Sequence, residues 1–219
     1  MDGHDATVGG AVVDSGRFDW MAHKEKFPGL CTPDESYHGI VYAQKFGNAG
    51  AYITKATVQL MRDLGSVQAP VNAYMLNLGL ESLAVRMERH CSNALAVAEF
   101  LEKNENVAWV NYPGLADNRY YQRAQKYMSG GTCGVVSFGV KGGRPAAEKF
   151  MKKLHLAMIA THVADARTCV LHPASSTHRQ MTDEELAVGG VPADLVRLSV
   201  GIENVSDIIA DLKQALSSL

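Results

Sequence analysis

The 219 residues are 47% hydrophobic and 20% charged, a composition typical of a globular chain with enough material for a sizeable core. The formal charge of −2 and the pI of about 6.4 give no reason to expect nucleic acid or an anionic membrane surface as a partner. No apolar run approaches the ~20 residues of a membrane-spanning helix, and the first residues do not predict a signal peptide.

The four cysteines are far apart and form no CxxC pair: Cys31, Cys91, Cys133 and Cys169. This spacing argues against a disulfide framework or a zinc site and predicts free thiols in a reducing compartment. We therefore expect a cytoplasmic location.

The first third of the chain carries weak secondary-structure signals. Residues 11–13 predict a short strand with a turn after it at residues 14–16, and residues 21–50 predict a long irregular excursion. Apolar residues at helical spacing from Val58 predict a helix that Gly65 ends. Such elements cannot bury a sheet face, so we expect them to be the end of a larger domain.

Residues 73–103 predict the longest helix. Leucine and methionine recur near helical spacing from Leu76 to Met87, and the apolar pattern continues to Phe100. A helix this long without obvious caps is expected to span two subdomains or to kink once. A polar patch lies in its middle: Arg86, Glu88, Arg89 and His90.

Strands and helices alternate over residues 105–219. This alternation predicts a compact α/β domain whose helices pack on an open, largely antiparallel sheet. Thr182, with Glu185 three residues later, predicts a capped helix start. The predicted strands are residues 107–110, 135–140, 157–163, 168–171 and 196–200, and the predicted helices are residues 120–128, 144–154, a segment from 181, and 205–216.

One arginine lies inside the last predicted strand. A buried guanidinium needs a partner, so Arg197 pointing into a cleft would bind a carboxylate or a phosphate with both arms of its fork. The alternative is that Arg197 lies on the solvated face while Val196 and Leu198 point inward. The strict alternation of the strand, taken by itself, favours that alternative.

Residues 161–178 crowd histidines, an aspartate and hydroxyl groups into a short region. Their spacing matches no metal-binding signature, and His172 before Pro173 is expected to end a strand. The chain also lacks a P-loop, a GxGxxG run and a GxSxG elbow. From the residues alone, the prediction stops at an α/β chain with one suggestive arginine.

Seven sequence blocks, in this order, have a combined likeness: GGAVVDSGRFDW, TPDESYHG, QLMRDLGSVQAPVNAYMLNLGLESLAVRMERHCSNA, NYPGL, GTCGVVSFGVKGG, THVADARTCVLHPASSTHRQMTDEE and DLVRLSVGIENVSDIIADLKQAL. Together they resemble the O-acetylhomoserine sulfhydrylases of the pyridoxal-phosphate-dependent Cys/Met-metabolism family. The resemblance runs from residue 2 to residue 216. The excursion at residues 21–50 resembles the sulfhydrylase branch more than the cystathionine lyases and synthases.

The resemblance implies a fragment of an aspartate-aminotransferase-like, fold type I enzyme. Residues 1–100 are then expected to be the tail of the large cofactor-binding domain with a long linking helix, and residues 101–219 the small C-terminal domain. The family also implies a homotetramer, so we expect a homo-oligomer and neither a nucleic acid nor a membrane as partner.

The opening Gly-His run also has a place in the resemblance. In the family this run follows directly on the lysine that forms the Schiff base with pyridoxal 5'-phosphate, so that lysine is expected two places upstream of Met1. None of the early lysines stands in this motif: Lys24, Lys26, Lys45 and Lys55. No catalytic, cofactor-binding or metal-binding residue is therefore assigned, and the isolated chain is expected to be inactive.

What the resemblance assigns to this chain is the substrate side of the site. Arg197 matches the arginine that binds the α-carboxylate of the amino acid, which reverses the preference drawn from alternation. Thr177 matches a threonine near that carboxylate. His162 and Val163 match the segment beside the substrate, although relatives often carry Ser or Asn where His162 stands, and many carry Gly where Ala164 stands.

The implied activity is methionine biosynthesis by trans-sulfuration chemistry: homocysteine or methionine from O-acetylhomoserine and sulfide or methanethiol. Three alternatives stay open. The chain is part of a longer enzyme, a half-protein that pairs with a separate N-terminal half, or a non-catalytic module. A methionine γ-lyase or cystathionine-type relative is the alternative within the family. An intact Arg197, Thr177 and His162 region favours an enzyme over a decayed module.

Overall fold

The computed structural model describes all of residues 1–219. Two compact units divide the chain: residues 8–74, and residues 1–7 together with residues 75–219. The expected boundary near residue 100 concerns the domains of a complete enzyme and stays a prediction. No helix has the combination of length and apolar character that crossing a membrane requires.

A five-stranded sheet is the centre of the larger unit. Its strand order is β1-β2-β5-β4-β3, and every neighbouring pair is antiparallel except β3 with β4. The expectation of an open, largely antiparallel sheet is therefore confirmed. The strands are β1 Val107–Asn111, β2 Val135–Val140, β3 Met158–Ile159, β4 Cys169–Leu171 and β5 Leu195–Ser199.

The predicted strand at residues 157–163 was too long, because β3 pairs with β4 only through Met158 and Ile159. The chain then leaves the sheet as a loop. That loop lies beside Arg197.

The sheet buries one face against helices. In β5, Val196 and Leu198 are fully buried, and their partners in β2, Phe138 and Val136, are fully buried as well. Phe138 also meets Phe150 edge to face, with ring centroids 5.8 Å apart. Aromatic pairs of this geometry add to the free energy gained by burying their area. The helices of this unit are α5 Leu83–Glu102, α6 Tyr121–Tyr127, α7 Gly143–Met151, α8 Asp183–Val188 and α9 Val205–Leu216.

Side chains close the helix ends as the sequence predicts. Thr182 accepts a hydrogen bond from the Glu185 amide, and the Glu185 carboxylate accepts from the Thr182 amide, so the capping box is confirmed. Asn204 caps α9 by accepting from the Ser206 amide. These caps satisfy backbone donors that the first turn of a helix leaves free.

The long helix expected at residues 73–103 breaks once, as predicted. α4 covers Pro70–Glu81, and α5 begins at Leu83. Ser82 between them has non-helical backbone angles. The buried stripe of α5 starts with polar residues and ends with apolar ones: Arg86, His90, Asn93, Ala94, Val97, Ala98 and Leu101.

Residues 8–74 are more helical than their sequence predicts. The expected strand at residues 11–13 is absent, because no other strand pairs with it, and Val13 is 91% exposed. The expected irregular excursion contains helices, and its longest helix starts at Tyr42 and passes through Gly47, whose φ of 65° interrupts helical geometry. Gly65 ends the last turn, as expected. The helices are α1 Pro28–Cys31, α2 Tyr42–Lys55, a π-helix Ala56–Met61 and α3 Arg62–Leu64.

Candidate substrate-carboxylate site

Arg197 lies in the middle of β5, on the sheet face away from the helices. Its neighbours across the sheet are Ser137 on β2 and Leu171 on β4. Because side chains alternate along a strand, the burial of Val196 and Leu198 on the helix side puts Arg197 on the other side. The alternation in the sequence thus correctly predicted that Val196 and Leu198 point inward.

The guanidinium of Arg197 makes one hydrogen bond to the protein and leaves a second donor without a partner. Its Nη2 donates to the Thr161 carbonyl oxygen at 2.8 Å. Its Nε is buried and has no hydrogen-bond partner. A buried donor without a partner costs about 1–3 kcal/mol in desolvation free energy, and more when it is charged. A ligand that offers a hydrogen-bond acceptor to this Nε would remove that cost. A carboxylate fits best, since its two oxygens match two guanidinium donors.

The loop after β3 supplies the surroundings of Arg197. Thr161 provides the carbonyl that binds Arg197. The amide of Ala164 donates at 2.9 Å to the hydroxyl of Ser199, which lies two residues after Arg197 on β5. His162 between them places its Nε2 2.5 Å from Oδ2 of Asp5. Val163 is 54% exposed. Three of the four predicted site residues, Arg197, His162 and Val163, are therefore brought together.

Thr177 is the predicted site residue that this group does not include. It is exposed, and its hydroxyl is hydrogen-bonded to Nδ1 of the neighbouring His178 at 2.9 Å. No hydrogen bond joins it to Arg197 or to residues 161–164. Its role at the carboxylate stays a prediction.

The turn after the loop is rigid. Asp165 is buried and paired with Arg167, whose Nη2 lies 3.1 Å from Oδ2. Burial raises the pKa of Asp165, but the hydrogen bonds from Arg167 outweigh it, and the net pKa lies below the ordinary value. The Glu203 carboxylate accepts from both the amide and the hydroxyl of Thr168. These contacts hold the C-terminal end of the loop at residues 160–168, which we call the substrate loop after the predicted place of His162 and Val163.

Comparison with known proteins decides the family. The model of the Cys/Met metabolism PLP-dependent enzymes matches residues 1–217. The chain belongs to this family. The expected cofactor class and the resemblance are thereby confirmed.

Individual relatives of this chain agree with the family assignment. The chain is 46% identical over 216 residues to a homocysteine synthase of Schizosaccharomyces pombe, covering 99% of this chain and 50% of the relative. It is 45% identical over 217 residues to O-acetyl-L-homoserine sulfhydrylase 1 of Thermus thermophilus, covering 99% of this chain and 51% of the relative. The chain thus spans about half the length of the curated relatives it matches.

A solved structure supports the fold. A Campylobacter jejuni protein, named in its crystal structure as an O-acetylhomoserine (thiol)-lyase and carrying N'-pyridoxyl-lysine-5'-monophosphate, superposes with a TM-score of 0.86. The two are 36% identical, and the match covers 99% of this chain and 51% of that one. The expected fold class, an α/β fragment of a PLP-dependent fold type I enzyme, is confirmed.

The polar groups around Arg197 suit an anionic ligand. The unpaired polar atom there is a cationic donor, and no lysine hydrogen-bonds or ion-pairs with Thr161, His162, Ser199 or Asp5. A guanidinium suits the carboxylate of an amino-acid substrate, whereas the aldehyde of pyridoxal phosphate needs an amine. The residues around Arg197 suit a carboxylate, and we assign none of them to the cofactor.

Two residues that were not predicted as site residues hold segments near Arg197. Arg86 is buried on α5, and its Nη2 donates to the Met1 carbonyl at 2.8 Å and to the Gly79 carbonyl at 3.0 Å. Asp5 contacts His162. Arg86 had a detectable signal, because it falls on the same helical stripe as His90 and Val97. Asp5 had none, since its partner is distant in sequence.

Proposed function

We propose that this chain provides the substrate-binding half of a pyridoxal-phosphate-dependent O-acetylhomoserine sulfhydrylase. The overall reaction exchanges the acetoxy group on Cγ of O-acetyl-L-homoserine for sulfide, giving homocysteine and acetate; with methanethiol the product is methionine. When bound, pyridoxal phosphate supplies the electron sink for removing protons from the substrate carbons. The T. thermophilus relative is named for this substrate and the S. pombe relative for this product, and both names support the choice.

One observation carries the proposal for this chain: the buried, unpaired Nε of Arg197 beside an Nη2 that the Thr161 carbonyl already holds. A guanidinium fixed on one side and unpaired on another is preorganised for a carboxylate. Orienting the α-carboxylate fixes the amino acid relative to the reacting carbons, and such orientation contributes through the entropy of positioning. The proposed role of Arg197 is therefore binding and orientation.

The wider setting belongs to the same proposal. We infer that the complete enzyme is a cytoplasmic homotetramer of methionine biosynthesis, with Thr177 and Val163 lining the substrate side. The Schiff-base lysine would be contributed by sequence outside these residues, so the 219-residue chain alone is expected to show no turnover.

The test uses the protein as its source cells make it, purified with an antibody raised against this chain. We expect a mass near twice 23.7 kDa and formation of homocysteine from O-acetyl-L-homoserine and sulfide. Replacing Arg197 with alanine in the gene should lower kcat/KM by about 10²–10³-fold, mostly through KM, because a buried charged contact to substrate is lost.

Arg144→Ala is the matched control, because Arg144 pairs with Asp183 and the Ala174 carbonyl and makes no hydrogen bond to Arg197 or to residues 161–164. It should change kcat/KM by less than about threefold. A purified protein that binds no pyridoxal phosphate, or that turns over equally well with Arg197→Ala, would contradict the proposal.

A further inference from the structure

The contact between Asp5 and His162 joins two parts of the larger unit that are far apart in sequence. Nε2 of His162 and Oδ2 of Asp5 are 2.5 Å apart, and each side chain is less than half exposed. His162 is a position at which this chain departs from the residues that the resemblance leads one to expect. The contact with Asp5 ties this departure to residues 1–7.

His162 sits between the two anchors of the substrate loop. The residue before it gives its carbonyl to Arg197, and the amide of Ala164 is bonded to Ser199. A displacement of His162 would therefore move the Thr161 carbonyl directly. That carbonyl is the only acceptor that a protein group offers to the Arg197 guanidinium by hydrogen bond.

Asp5 is attached to a fixed segment. The Met1 carbonyl accepts from Arg86, and the Gly3 carbonyl accepts from the Ala166 amide at 2.7 Å. A side chain at Gly3 would overlap the Arg86 guanidinium, since an added Cβ would lie 2.6 Å from its Cζ. Residues 1–5 therefore pack closely, and Asp5 holds its carboxylate at a defined place.

A neighbouring ion pair, Asp165 with Arg167, also acts on both partners. His162 contributes to lowering the pKa of Asp165, and Asp5 contributes to raising the pKa of Arg167. Neither member of this ion pair forms a hydrogen bond with Asp5 or His162. The conformation of Asp5 also has a cost, because its φ of 51° lies in the left-handed region. A residue kept in that region persists when its side chain makes a compensating contact.

We propose that Asp5 and His162 form a strap from residues 1–7 to the substrate loop, and that this strap positions the Thr161 carbonyl that orients Arg197. Both are positioning residues that act through Arg197. The consequence for substrate binding rests on the proposed function, whereas the strap itself does not.

The test compares two substitutions that both replace a residue of positive φ with glycine. Asp5→Gly relieves the backbone and removes the carboxylate, while Ala164→Gly relieves a φ of 60° and leaves the strap intact. The readouts on the ¹⁵N-labelled 219-residue chain are hydrogen exchange of the Ala166 amide and solvent exchange of the Arg197 Nε–H. If backbone strain dominated, Asp5→Gly would slow both rates.

The proposed strap predicts instead that both exchange rates increase in Asp5→Gly. Asp5→Gly should speed both exchanges by about tenfold, as expected when a charge-assisted contact that closes a local opening is lost. Ala164→Gly should change them by less than about twofold. The reversed pair, Asp5→His with His162→Asp, should return both rates to within about threefold of the original chain, because histidine also tolerates positive φ.

Three results would overturn the strap: unchanged or slower exchange in Asp5→Gly, equal acceleration in Ala164→Gly, or no recovery in the reversed pair. In the purified complete enzyme, Asp5→Gly should raise KM for O-acetyl-L-homoserine about five- to tenfold and leave kcat within about twofold. Failure of the homocysteine assay would contradict the proposed function only, since the exchange measurements need no substrate.

Discussion

The two compact units treat their apolar side chains differently. The larger unit buries a continuous core between its sheet and helices, and Phe138, Phe150 and Leu198 are fully buried there. Residues 8–74 have a small core around Tyr42 and leave large hydrophobic side chains exposed, among them Val8, Val13, Leu64 and Val67. A helix-covered sheet face conceals its own apolar surface, whereas short helices and irregular segments cannot conceal all of theirs.

Two buried tyrosines, one in each unit, differ in how their hydroxyl groups are paired. In the larger unit, the Tyr112 hydroxyl donates to the Cys133 carbonyl at 2.9 Å and accepts from Thr132 at 2.7 Å. In residues 8–74, the hydroxyl of the fully buried Tyr42 has no hydrogen-bond partner. The comparison teaches that the sheet unit has the larger apolar core, whereas both units hold buried polar atoms without a hydrogen-bond partner, among them Nε of Arg197 in the sheet unit.

The largest expected effect comes from opening the core of the sheet unit. Phe138→Ala removes a fully buried ring and its edge-to-face contact with Phe150. We expect it to lower the free energy of unfolding of this unit by about 3–5 kcal/mol. Urea denaturation measures this, with Phe138→Leu as a control that should cost less than half as much. A loss below about 1 kcal/mol would show that the core repacks freely.

The second-largest expected effect on the free energy of unfolding concerns a buried carboxylate. Asp211 on α9 accepts from the amides of His155, Leu156 and Ala157 at 2.8–3.0 Å. Asp211→Asn should cost about 2 kcal/mol, since charge-assisted bonds from backbone donors are weakened. Asp207→Asn, exposed on the same helix, should cost only about 0.5 kcal/mol.

The same carboxylate sets a pH dependence. Burial raises the pKa of Asp211, but the three amides outweigh burial and hold it below the ordinary value of 3.8. A lowered native pKa means stabilisation that is present above pH 3.8 and lost as the pH falls through the native pKa. Unfolding followed from pH 6 to pH 2 should therefore show a flatter curve for Asp211→Asn. Parallel curves would contradict this assignment.

A pair of tyrosines tests the comparison directly. Burial raises the pKa of Tyr112 to about 12, and its hydroxyl has partners, so Tyr112→Phe should cost about 1–2 kcal/mol. Tyr42→Phe removes a buried hydroxyl without a partner and should be neutral or stabilising by up to about 1 kcal/mol. Thermal unfolding of the two variants measures the difference. Equal costs would mean that the hydroxyl of Tyr42 is satisfied after all.

The smallest effect concerns an ion pair in residues 8–74. Hydrogen bonds from Lys55 and then from Ser36 lower the pKa of Asp34 to about 2. Lys55→Met should return this pKa most of the way to 3.8, as followed by NMR of the side-chain carboxyl carbon. Lys45→Met, on the same helix, should leave it unchanged. A lasting value near 2 in Lys55→Met would assign the shift to Ser36 instead.

Local signals in the sequence determined much of the larger unit. Alternating apolar residues predicted β2 and β5, the capping box predicted the start of α8, and helical spacing predicted the bounds of α9. The same level of reasoning failed at residues 11–13 because a strand exists only when another strand pairs with it. It also missed most of α2, whose interior glycines obscure the helical pattern.

The sequence by itself determined that Arg197 stands between two inward-pointing residues, and resemblance proposed its substrate. Only the tertiary structure decided that its Nε is buried and unpaired, that Thr161 holds its Nη2, and that Asp5 contacts His162. Secondary structure follows from neighbours along the chain, which a sequence displays. A site depends on side chains brought together from segments far apart in sequence, and no periodicity records which of them meet.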